Sequence, residues 1–215
     1  MFRIDDESNP AIRARIEEEF FEGAALKLDW QVEGQQVREG AVIVGAKAGP
    51  NIHESHACHE LAHFVEIDDA RCGLYGWGLK VPEIWVYDRM CVEPTTHQMI
   101  DRELRVIAYQ VNLLEYLGAH EDELDRSQLF QDAVTAGGAP AAVALVTSLR
   151  FMADWCMLPR RGRDQHSNDV SRVVWCARRV ERLRRQKKYS IESFRREWKR
   201  KNEVLRNFDL SRDGL

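Results

Sequence analysis

From Asn9-Pro10 to about Gly23, apolar positions recur at helical spacing within an acidic run, and a proline at the first turn predicts a helix start. Leu26, Leu28, Trp30 and Val32 then alternate with polar residues, the two-residue period of a half-buried strand. The β-branched run AVIVG at 41–45 predicts a second strand. AGPN breaks the chain before a polar helix rich in histidine. RCGLYGWGLKVPEIWVYDRM reads as a loop of glycines and aromatics leading to one irregular strand at 83–87. Beyond it the pattern is helical. Thr95 or Thr96 caps a helix to Leu117, with Gly118 as its stop, and further helices are expected at 126–136, 140–157, 168–187 and 191–208, the last capped by Ser190. The expected class is α+β, a small mixed front half followed by a helical back half.

Composition narrows the picture. The chain has 215 residues, of which 44% are hydrophobic and 31% charged, enough for a core and a well-solvated surface. No apolar run reaches the roughly 18 residues of a membrane span, and APAAVALVTSL is stopped by Arg150. The N-terminal MFRIDDESNP is acidic, without the basic-then-apolar layout of a signal peptide, so a cytoplasmic protein is expected. Five dispersed cysteines (Cys58, Cys72, Cys91, Cys156 and Cys176) form no CxxC pair, which fits free thiols in a reducing compartment. The net charge of −4 conceals an asymmetry: residues 1–149 carry 12 Lys/Arg against 26 Asp/Glu, and residues 150–215 carry 19 against 9.

The segment from His53 to His63 holds four histidines, two glutamates and a cysteine. Within it His59-Glu60-Leu61-Ala62-His63 is an HExxH motif. Histidines four apart on a helix lie about 40° from each other, so both rings can reach one divalent ion. Glu60, on the neighbouring flank, can take a proton from water there. His53, His56, His59, His63 and Glu60 share one arc, while Ala57, Cys58, Leu61, Phe64 and Val65 form a separate apolar stripe. A merely solvated helix would scatter its histidines. His53 and His56 read as supporting or surface residues.

Catalytic zinc takes three protein ligands. The layout HExxHxxGxxH would put the third at Asp69, but it needs a glycine at position 66, where this chain has Glu66. Glu103 is the better candidate. On the helix to Leu117 it falls near the middle of the arc formed by Ile100, Leu104, Val106, Ile107, Val111, Leu114 and Leu117. A carboxylate there needs a cation, a donor or a proton. An ion held by His59 and His63 would satisfy it; a salt bridge to Arg71 or Arg89 is the plainer alternative. Gln110, two turns on, can hydrogen-bond to the same site.

HExxH on one helix and a glutamate on a later one resemble the gluzincin branch of zinc metallopeptidases. That resemblance implies a zincin-like domain, Zn2+ on His59, His63 and Glu103, and Glu60 as general base. The gap from His63 to Glu103 is longer than is usual in that family. HELAHF, LYGWGL and ELRVIA, within about residues 55–110, are also similar to elongation factor P hydroxylase. This second resemblance implies the same three positions holding Fe2+ for oxygen-dependent hydroxylation.

Residues 1–125 are therefore expected to form a zincin-like metal-binding domain, with a helical, basic region, 126–215, packed on it. In SRVVWCARRVERLRRQKKYSIESFRREWKRKNEVLRNF, lysines and arginines are interleaved with aromatics. This region could contact nucleic acid or an acidic partner, or lay its apolar face on the body and leave its charges to solvent. The expected function is a zinc metallopeptidase acting on a protein or peptide. The alternatives are an iron-dependent hydroxylase and a metal-stabilised binding protein that uses the basic region. No membrane partner is expected.

Overall fold

The computed structural model describes residues 9–48, 51–52, 54–78, 94–118 and 178–210. The strand expected at 83–87, the helices at 126–136 and 140–157, His53 and Arg89 lie outside these residues, as does the first part of the helix expected at 168–187.

Helix α1, Pro10–Ile16, starts where Asn9 Oδ1 accepts from the backbone N–H groups of Ala11 and Ile12, at 3.1 and 3.2 Å. It continues into a π-helical turn, Glu17–Phe21, in which Phe20 is buried. The sheet has strands β1 (Leu26–Glu33), β2 (Gln35–Arg38), β3 (Ala41–Ala48) and the two-residue β4 (Asn51–Ile52). Its order is β1-β3-β2, with β1 parallel and β2 antiparallel to β3, and β4 pairs antiparallel with β3.

β2 and β4 were not expected. Gln35-Gln36-Val37-Arg38 has one apolar residue and no alternation worth the name; its pairing is decided by the turn. Glu39 and Gly40 both have positive φ, 50° and 71°, as a two-residue hairpin turn matched to strand twist requires. β3 also runs beyond AVIVG. Gly45 lets it continue, because a Cβ there would stand 2.2 Å from the carbonyl oxygen of Val32. Instead the Gly45 N–H donates to the Gly34 carbonyl at 2.7 Å.

Helix α2, Glu54–Glu66, follows β4 and buries Ala57, Cys58, Leu61, Phe64 and Val65, the stripe read from the sequence, together with Ala62. Its first residue is tied to α1: Glu54 Oε1 accepts from the Asn9 N–H at 3.0 Å and from Arg13 Nε at 2.9 Å. Helix α3, Pro94–Leu117, lies against α2, and its Leu104, Ile107, Ala108 and Val111 are buried in the core the two share. It begins at Pro94, just ahead of the expected threonine caps, and Gly118, with φ +87°, ends it as expected.

The described end of the chain forms helix α4 over 178–184 and helix α5, Ile191–Arg206. Ser190 Oγ caps α5 by accepting from the Ser193 N–H at 3.2 Å. Phe194 meets Phe20 edge-on at 5.7 Å and Tyr109 at 5.5 Å, joining α5 to the π-helical turn after α1 and to α3 in one core. The charges follow the same seam. Arg179 pairs with Asp101, Arg184 with Glu115, Arg195 with Glu19, and Arg200 and Lys201 with Asp69. Among the described residues, part of the asymmetry in the sequence is thus basic helices facing an acidic body. The architecture is α+β and mostly helical; no helix among the described residues is long and apolar enough to cross a membrane.

Candidate metal centre

His59 and His63 sit one turn apart on α2, and Glu103 reaches them from α3. His59 Nε2 and His63 Nε2 are 3.0 Å apart, and Glu103 Oε2 lies 3.6 Å from each. Donors bound to one ion at about 2.0–2.2 Å must lie within roughly twice that of each other, and all three pairs do. The group is shielded: the His59, His63 and Glu103 side chains are 14%, 8% and 22% exposed.

The proton positions follow from Gln110, buried on α3. Its Nε2 donates to the Ser55 carbonyl and to Ser55 Oγ, both at 2.9 Å. A carbonyl can only accept, so the amide is oriented and its Oε1 faces His59 Nδ1 at 3.1 Å. His59 therefore carries its proton on Nδ1 and points the Nε2 lone pair at the other two donors. His63 Nδ1 is buried and has no hydrogen-bond partner among the described residues. Two imidazole nitrogens and a carboxylate oxygen converge where only a cation or a shared proton satisfies them. The donor set fits a divalent ion such as zinc or ferrous iron.

Burial sets the protonation states. It pulls both histidines down to about 4; for His59 the neighbouring His63 adds to the effect, and for His63 the Arg102 charge does. Both rings are neutral, as ligands must be. Burial raises Glu103, against the pull of His59 and Arg102. Glu60 is pushed up to about 7 by burial; the Trp77 N–H opposes the rise and the charge of Glu103 adds to it.

Glu60 is 8% exposed, and its Oε2 accepts from Trp77 Nε1 at 2.9 Å. Its Oε1 lies 3.7 Å from His56 Nε2, beyond hydrogen-bond range. His56 is stacked on His59 at 6.1 Å and flanks the donor group rather than joining it. Asp69, the other sequence candidate for third ligand, is elsewhere. Its Oδ2 accepts from Arg200 at 2.7 Å, and its Oδ1 from Arg200 at 3.0 Å and Lys201 at 2.7 Å. Glu66, where the rejected layout wanted glycine, pairs with Arg105 at 2.9 Å. Arg71 lies 3.9 Å from Asp68, so the salt bridge weighed for Glu103 is not formed with Arg71.

Trp77 is the site residue the sequence reading missed. It belongs to a short 3-10 segment, Tyr75–Gly78, in which Gly76 and Trp77 are both left-handed, with φ of 54° and 56°. The signal was a large aromatic set between glycines in LYGWGL, though nothing in the spacing says which acidic group it will meet. No family model matches the chain, and no curated protein or solved structure matches it.

Proposed function

We propose that this chain is a metal-dependent hydrolase of peptide or other amide bonds, with a zincin-like centre made by α2 and α3. His59, His63 and Glu103 would hold the ion. The observation that carries the reading is the convergence of three ligand atoms, with His59 Nε2 left bare by the Gln110 hydrogen bond. Zinc there would supply Lewis acidity toward a carbonyl oxygen. Glu60, at about 7, accepts a proton from the attacking water and returns it to the leaving nitrogen. Trp77 occupies Oε2 and leaves Oε1 for that exchange.

One observation favours a second reading, an iron-dependent hydroxylase. Trp77 comes from the aromatic-glycine segment of the hydroxylase resemblance and touches Glu60. Three segments apart in sequence thereby meet around one centre, and two histidines with one carboxylate also suit ferrous iron.

Elemental analysis of the purified full chain, followed by assay of a quenched fluorescent peptide library with and without oxygen, separates the two. Bound zinc with oxygen-independent cleavage supports the hydrolase. Bound iron, with oxygen consumed and no cleavage, supports the hydroxylase. If His59→Ala holds as much metal as the parent chain, the centre is wrong in both readings.

A further inference from the structure

The bond that orients Glu60 begins on the sheet. Gln35, on β2, is a buried polar residue, 4% exposed. Its Oε1 accepts the backbone N–H of Trp77 at 3.1 Å, and its Nε2 donates to the Gln36 carbonyl at 3.2 Å. The Trp77 N–H is shared with the Leu74 carbonyl, also at 3.1 Å. Two acceptors thus fix the amide plane that enters Trp77, and from there the indole N–H reaches Glu60 Oε2 at 2.9 Å.

Trp77 is an unexpected residue for that backbone. A left-handed φ of 56° puts Cβ against its own carbonyl, a strain of about 1–2 kcal/mol that glycine does not suffer. Gly76 stands immediately before it and Gly78 immediately after. The chain has spent its glycines around this position and kept the tryptophan at it. The indole packs on Phe64 at 5.5 Å, so the ring is also held from the α2 side. A non-glycine residue held in a rare conformation by a buried side chain, and bonded to a buried carboxylate, is the pattern expected where strain serves orientation.

We propose that Gln35 is a positioning residue for Glu60, acting through the left-handed backbone of Trp77. The role rests on Glu60 being the proton acceptor of the proposed reaction. Gln35 holds the Trp77 peptide, Trp77 holds Oε2, and the remaining oxygen is left in one orientation. The β2 hairpin is in this way part of the site, although none of its residues lies in the donor group.

The test is nuclear magnetic resonance of the full chain with 15N-labelled indoles, recorded with and without added Zn2+. The sequence has six tryptophans, so Trp77→Phe assigns the Trp77 signal by its loss. Gln35→Met keeps length and shape and removes the acceptor. It should increase hydrogen exchange at the Trp77 indole by about tenfold, because the indole's bond to Glu60 loosens when the Trp77 peptide is no longer held. Gln35→Glu, which keeps an acceptor oxygen, should restore the protection. Glu60→Gln should move the Trp77 signal while leaving the other indoles in place. Unchanged exchange in Gln35→Met, or a Trp77 signal indifferent to Glu60→Gln, overturns the proposal. Should Gln35→Met not fold, Gln35→Asn, which keeps the amide but withdraws it by one methylene, takes its place, and unchanged Trp77 exchange there overturns the proposal. Zinc content is measured on the same samples. A chain that binds no zinc refutes the zinc reading, and the Trp77 signal still judges the coupling.

Discussion

Glutamine at position 60 would keep an acceptor for the Trp77 indole while removing the oxygen proposed to take a proton. Glu60→Gln should therefore lower turnover by roughly 10²–10⁴-fold and leave metal content unchanged. Because burial lifts Glu60 to about 7, it is ionised and able to accept a proton only above that value. Activity should rise with pH through about 7. Trp77→Phe should move the midpoint upward, since the indole N–H favours the carboxylate; a pH–rate profile of the two chains checks it. The histidines shift the other way. Held down to about 4, they stay neutral in mild acid, so metal retention measured after dialysis should persist below the ordinary titration range of histidine. Gln110→Leu removes the partner of His59 Nδ1 and should weaken metal binding roughly ten- to a hundredfold, read by titration calorimetry.

Between elements, apolar contacts outweigh charges. Phe194 is fully buried where α5 meets α1 and α3, and Phe194→Ala should cost about 3–5 kcal/mol in urea unfolding. Arg195 is half exposed on the same helix, and Arg195→Ala should cost less than about 1 kcal/mol despite its pairing with Glu19. α2 and α5 were legible in the sequence because their signals are local: a cap, an apolar stripe, a stop. The HExxH pair was legible for the same reason, and Glu103 could be singled out because its own helix left it on an apolar arc. β2 was not, because its pairing is made by a positive-φ turn and by β3 rather than by its own composition. Nor was Trp77, whose role depends on Gln35 and Glu60, 42 and 17 residues away. Contacts of that span leave no period to read.

For the molecule as a whole, an ion would join α2 to α3 across the core. A ligand present at a hundred times its dissociation constant stabilises the folded state by about 2.7 kcal/mol. For a chain of this size that is a rise of roughly 5–10 °C in melting temperature, which scanning calorimetry with and without Zn2+ would show. His59→Ala should abolish the rise.

Lys201 gives the chain a temporal order. Its buried ammonium holds the Ile67 carbonyl and Asp69 just past the end of α2, and Phe208 closes over Gly73 on the way to Trp77. Every proposed ligand is thus made by residue 103, whereas the residues that brace the segment between α2 and Trp77 are the last of the described chain to be synthesised. A nascent chain would carry the donor atoms well before it carried their support. Support for the proposed centre would then follow the docking of α5, which brings Lys201 to Ile67 and Asp69.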